Sequence, residues 1–192
     1  MDQLANSDYR LLEKIGEYEE AYFEDFLLSP DSILHDFLCY EVEIEPGKRI
    51  ETSDDQPPME LYENYYFKVD DLDEGGGMCD PKAHTITIDP ESIDDPAVIL
   101  HEMIHAYIDL LENKNFLMMD CLLLKLYTNL AAKIPDLEER IIGHSHRIKQ
   151  EDFDNHGWHG LLFFLKSLDL DLRLGLALGT VCGYGRDTET SP

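Results

Sequence analysis

Basic residues are scarce in this sequence. Fifteen Lys and Arg face 41 Asp and Glu in 192 residues, a formal charge of −26. A field of that sign repels phosphate backbones and anionic lipid surfaces. No Lys/Arg cluster builds a local basic groove, and the nearest grouping is Arg140, Arg147 and Lys149. The charge therefore argues against direct nucleic-acid binding and against a membrane partner. Long hydrophobic runs are also missing. The most apolar stretch, 116–130, is interrupted by Asp120 and Lys125 and is too short to span a bilayer. The opening MDQLANSDYR has neither the basic nor the apolar segment of a secretory signal. The four cysteines, Cys39, Cys79, Cys121 and Cys182, lie far apart and form no CxxC. They read as reduced thiols, not as a disulfide framework or a cysteine-type zinc module. The expectation is an acidic intracellular protein, nuclear or cytoplasmic.

What is present is a chain long enough for one sizeable core. Helical periodicity covers 8–28, and Ser29-Pro30-Asp31 introduces a short second helix through Leu38. CYEVEIE (39–45) alternates as a strand, ended by Pro46-Gly47, and ETSDDQPPME (51–60) reads as a loop. YENYYFKV (62–69) is strand-like, DDLDEGGGMCD an acidic glycine-rich turn, and HTITID (84–89) a further strand. Next comes a strong helix with Asp94 or Asp95 as N-cap and Pro96 at its first position. Apolar helices follow over about 116–133 and, more weakly, 136–150. A histidine-bearing turn spans 151–160, a short helix begins at Leu161, and LDLDLRLGLAL (168–178) alternates like a final strand. The class is α+β, a small antiparallel or mixed sheet packed on helices. One domain is expected over 1–180, with a helical insertion at about 113–150 and a flexible tail over 181–192.

The chemistry is concentrated in ILHEMIHAYI (99–108). On a helix, positions i and i+4 share a face, so His101 and His105 can reach one cation. Neutral imidazole is a good zinc ligand. Glu102 lies one step around, placed to take a proton from water at the metal without ligating it. By chance this spacing occurs in about one or two chains per hundred of such composition, so context must support it. The capped helix does. Without a metal, the same segment is a core helix with incidental histidines.

A catalytic zinc needs a third protein ligand and an open position. The candidates are His144 and His146 in GHSHR, His156 in DNHGW and His159 in WHGLLF. The first pair falls in an amphipathic helix, where exposed histidines are common. His156 and His159 stand at a glycine-marked turn before a helix, a good place for a ligand. His35 and His84 have no supporting pattern. Cys79 has no activating neighbour in sequence and reads as structural. Trp158 reads as a packing anchor of its turn. An oxyanion-stabilising group is not legible; Tyr107 and the GWH turn are the candidates.

GGMCD (76–80), a strand, a short polar turn, LHEMIHAYI and a later HG turn together resemble the SprT-like (Spartan-type) zinc metalloprotease family. The likeness covers about 76–112 and resumes at 154–178. It implies a zincin-like minimal metalloprotease fold with Zn2+ held by three histidines. His101 and His105 would be the helix ligands, Glu102 the general base, and the histidine of the HG turn the third ligand. Both HGWH and HGLLF match part of that pattern. His159 has an aromatic four residues on, at Phe163. His156 has Asp-Asn before it, leaves room for a fuller helix after it, and is preferred by a small margin. The implied activity is hydrolysis of peptide bonds in a protein or peptide substrate, with DNA-associated or crosslinked proteins as one substrate class. The strand at 84–89 would pair with an extended substrate. The alternative is a zinc-stabilised acidic binding module, weakly active or inactive, that engages a basic or chromatin-associated protein. Two features depart from the family: the helices between His105 and the HG turn, and the acidic charge.

Overall fold

A computed structural model describes residues 8–23, 42–45, 48–50, 61–73, 75–112, 116–147 and 159–183. Helix α1, Tyr9–Tyr22, starts at Asp8, whose side chain accepts from the amides of Arg10 and Leu11. Strands β1, Val42–Glu45, and β2, Lys48–Ile50, form an antiparallel pair. A single helical turn, α2, Leu61–Asn64, leads into β3, Tyr66–Val69. Then come β4, Gly77–Asp80, and β5, Thr85–Ile88. Four helices follow the sheet: α3, Pro96–Glu112; α4, Phe116–Ala131; α5, Leu137–Arg147; and α6, Leu161–Leu174. The architecture is α+β, as the sequence implies. Among the described residues, no helix is long and apolar enough to cross a membrane.

The three-stranded sheet has the order β3-β5-β4, with β3 parallel and β4 antiparallel to the central β5. Ile86 and Ile88 of β5 are fully buried. Helix α3 lies against β4 and β5, and α1 against β3. α3 is apolar around most of its circumference, with Ile99, Leu100, Met103, Ile104 and Leu111 all buried. Such a helix belongs in a core, not on a surface. Asp95 caps it, its carboxylate accepting from the amide of Ala97 at 2.9 Å.

Several expectations are revised. The glycine-rich segment before Asp80 is not only a turn: Gly77–Asp80 is an edge strand. The run at 62–69 opens with the α2 turn and becomes a strand at Tyr66. The central position of β5 leaves it no free edge among the described residues, so it cannot add a substrate strand; β3 and β4 are the edge strands among those residues, and β4 is the one beside Glu102. The largest revision concerns 168–178. The helix from Leu161 runs to Leu174 and ends at Gly175, whose φ of 69° is left-handed, and no strand follows in the described chain. The Leu/Asp alternation misleads because its aspartates are not a solvent face. Asp169 and Asp171 are both buried, the first paired with Lys166 and the second bonded to the following loop. The helices between the metal motif and the HG turn share the main hydrophobic cluster, through Leu122, Leu126 and Leu130 of α4 and Leu137 of α5. The expected helix through Leu38, the 51–60 loop and the tail from residue 184 lie outside the described residues.

Candidate metal centre

His101, Glu102 and His105 sit on the middle turns of α3, with Glu102 and His105 buried and His101 half-buried. The third imidazole comes from His159, at the turn into α6. Gly160 is the N-cap of that helix. The Nε2 atoms of His101 and His105 lie 3.2 Å apart, and those of His159 and His101 3.4 Å apart. All three ligating atoms fall within 4.8 Å of one another, close enough to hold a metal ion. Tetrahedral coordination at about 2.0–2.1 Å from zinc to nitrogen puts neighbouring nitrogens about 3.3 Å apart. The two separations from His101 match that figure.

The tautomer fits as well. Nδ1 of His101 is 2.7 Å from the carbonyl oxygen of Val181. A carbonyl only accepts, so Nδ1 carries the hydrogen and Nε2 presents its lone pair to the cluster. Burial lowers the proton affinity of His101 and, more strongly, of His105, which keeps both imidazoles neutral as ligands must be. Phe163, one turn into α6 and fully buried, touches all three rings, with centroids 4.9, 4.5 and 4.6 Å from those of His101, His105 and His159. It forms an apolar floor that fixes the ring orientations.

Glu102 leaves the helix toward β4 and accepts a backbone hydrogen bond from Cys79. The strand passes so close that a Cβ on Gly77 would lie 2.8 Å from Glu102 Cγ and 3.0 Å from its Oε1. A Cβ on Gly76 would lie 2.5 Å from Ser92 Oγ. The paired glycines of GGMCD thus leave space for the carboxylate and for the turn before the helix. Burial raises the Glu102 carboxyl to about 7, against the lowering effect of the Cys79 amide. A carboxylate so placed is a proton acceptor near neutrality.

The remaining sequence candidates take other roles. His156 and Trp158 lie outside the described residues, as does His35; the imidazole brought to His101 and His105 is that of His159. His144 is not an exposed helix histidine. It is buried, stacked on Phe164 at 4.1 Å, and its Nε2 donates to the carbonyl of His159 at 2.8 Å. His84 stacks on Tyr65 at 5.2 Å and donates from Nδ1 to the carbonyl of Asn64. Tyr107 is not an oxyanion donor: it is fully buried, stacked on Phe23, and its hydroxyl donates to Glu19. Cys79 packs beside Tyr65, and its thiol pKa is pushed up by burial and by the carboxylates of Glu102 and Asp109. Sequence reasoning missed the Val181 carbonyl and the His144 bond. The first leaves no side-chain signature, and the second needs a contact between two helices' ends.

Comparison with protein-family models, curated proteins and solved structures found no match. The function rests on the site itself.

Proposed function

We propose that this chain is a zinc-dependent metallopeptidase of the SprT-like, zincin-like kind, using His101, His105 and His159 as ligands and Glu102 as general base. One observation carries the reading: three imidazole nitrogens converge within 4.8 Å of one another beside a buried carboxylate one residue from His101. Three nitrogen donors with no carboxylate or thiolate among them suit zinc, and three protein ligands are the signature of a catalytic rather than a closed structural site.

A divalent zinc held by His101, His105 and His159 would supply Lewis-acid chemistry for the scissile carbonyl and for water. The chain's own residues do the rest. Glu102 takes a proton from the attacking water on a carboxylate oxygen and passes it to the departing amine, so that the proton count closes. The Cys79 amide and the glycines of β4 hold that carboxylate in place. β4, paired on one side, offers main-chain groups to an extended peptide next to Glu102. Phe163 keeps water away from the back of the imidazoles.

The formal charge of −26 supports a basic protein as substrate or partner. It equally suits the second reading, a zinc-stabilised acidic module that binds such a protein without cleaving it. Metal content and cleavage of casein and of histone by the wild type and Glu102→Gln separate the two. The peptidase reading expects about one zinc per chain in both proteins and cleavage by the wild type alone. Equal cleavage by both, or no bound metal, sinks it. Zinc and histone binding without cleavage favours the module.

A further inference from the structure

Helix α6 contributes to the metal site at both of its ends. His159 precedes its first turn, and after its last turn the chain folds back to bring the carbonyl of Val181 to His101. One side chain of α6 clamps that return to the helix. Asp171, in the last turn and fully buried, accepts from the amide of Gly179 on Oδ2 at 2.6 Å and from that of Val181 on Oδ1 at 2.9 Å. Its own carbonyl accepts from Leu176 at 2.8 Å, which closes the helix at Gly175. Gly179, with φ of 98°, supplies the left-handed step between the two amides that Asp171 holds.

A buried carboxylate is costly unless its oxygens are fully engaged. The two cations of the same helix are directed elsewhere. Lys166 reaches the carbonyl of Tyr22 and the carboxylate of Asp169, and Arg173 reaches the carbonyls of Ala21 and Tyr22. Asp171 is engaged with backbone amides of residues 179–181, which offset part of the rise that burial imposes on its carboxyl pKa. The outcome of holding those amides is the placement of one carbonyl. Val181 is buried, and its oxygen meets Nδ1 of His101 at 2.7 Å.

We propose that Asp171 is a positioning residue of the metal site: by clamping the amides of Gly179 and Val181 it aims the Val181 carbonyl at His101 and so selects the tautomer whose Nε2 ligates. The proposal rests on the reading of His101, His105 and His159 as a metal site. It assigns a task to a side chain that neither ligates nor touches substrate. Hydrogen-bond partners behind a ligating histidine typically set metal affinity by about 10–100-fold, and Asp171 controls that partner at one remove.

The test uses the full chain and Zn2+ alone. Long-range proton–nitrogen correlation spectra of the metal-free protein report the His101 tautomer, and competition with a chromophoric chelator reports Zn2+ affinity. The wild type is expected to carry the His101 proton on Nδ1. Asp171→Asn, which cannot accept from two amides with both side-chain heavy atoms, is expected to give mixed tautomers and about 10–100-fold weaker Zn2+ binding. Ile15→Ala on α1 lowers stability without touching this loop and should change neither readout. A wild-type His101 protonated on Nε2, an Asp171→Asn protein with unchanged tautomer and affinity, or an equal loss in Ile15→Ala overturns the proposal. If Asp171→Asn does not fold, hydrogen exchange in the wild type decides: Gly179 and Val181 amides must be protected, and exchange at the rate of exposed loop amides overturns it. A wild type that holds the Nδ1 tautomer yet binds no Zn2+ overturns the metal reading, and this proposal with it, by a result distinct from all of these.

Discussion

The carbonyl oxygen of Val181 lies 2.7 Å from Nδ1 of His101, across eighty residues of chain. The carbonyl of His159 is held in a similar way, by Nε2 of His144 at 2.8 Å. Each of these histidine-bearing segments is thus tied to a group from a different part of the chain. The helix α3 alone could present two imidazoles, but it could not set the His101 tautomer or bring the third. Those tasks fall to α5 and to the two ends of α6.

Metal removal should be visible as lost stability. A ligand present at about 1,000 times its Kd stabilises the native state by roughly 4 kcal/mol. Thermal melts with Zn2+ and with chelator are expected to differ accordingly, and His159→Ala should abolish most of the difference. His156→Ala should preserve it. The reverse pattern would show that the ligand comes from the other histidine of the HG turn.

His144 should matter although it is no ligand. His144→Leu removes the donor to the His159 carbonyl and leaves a partly buried oxygen without that bond, a cost of about 1 kcal/mol. His144→Asn can restore part of it. Urea unfolding of the metal-free proteins, paired with Zn2+ competition, is expected to show lower stability and weaker binding for Leu, with Asn between Leu and wild type. Wild-type affinity in His144→Leu would mean that the stacked pair with Phe164 is purely a packing feature.

How much of this was legible in the sequence follows from what each feature depends on. His101, Glu102 and His105 could be read from spacing because one helix fixes their geometry. A cap at Asp94 or Asp95 and the strand Thr85–Ile88 were legible for the same local reason, and the structure gives the cap to Asp95. The choice between His156 and His159 was not, because it depends on where α6 begins and how it packs on α3. The strand read into 168–178 fails because period-two hydrophobicity assumes that the polar residues face water. Here Asp171 is buried to bond the loop and Asp169 is buried beside Lys166. The alternation was a trace of their structural roles, not of a strand.

Gly77 should be intolerant of even one added carbon. An alanine Cβ would lie 2.8 Å from Glu102 Cγ and 3.0 Å from Val98 Cγ1. Overpacking of this kind costs about 1–3 kcal/mol and moves whichever neighbour yields most easily. Gly77→Ala is expected to displace the Glu102 carboxylate, cutting kcat for peptide cleavage while Zn2+ affinity stays near wild type. Steady-state kinetics beside chelator competition checks the split. A variant that loses zinc as readily as activity would place the strain on the ligands instead.

The Cys79 thiol gives a pH prediction away from the metal ligands. Burial raises its pKa, and the carboxylates of Glu102 and Asp109 raise it further by opposing a second negative charge. Only the thiolate is nucleophilic, and below the pKa each unit of upward shift lowers the thiolate fraction tenfold. The sign is therefore that alkylation of Cys79 is slower than that of an unfolded cysteine at every pH up to the ordinary thiol range. Its rate should still be climbing where an ordinary thiol has levelled off. The Tyr65 hydroxyl, which donates to Asp109 at 2.8 Å and also hydrogen-bonds the Cys79 sulfur, opposes the rise in part; Asp109→Asn removes one of the opposing charges and should accelerate the reaction. Iodoacetamide labelling of the folded chain between pH 7 and 10, resolved by peptide mass spectrometry, measures this. A Cys79 rate that levels off near pH 9 would show a thiol with no electrostatic contact to Glu102, and would undo the placement of that carboxylate against β4.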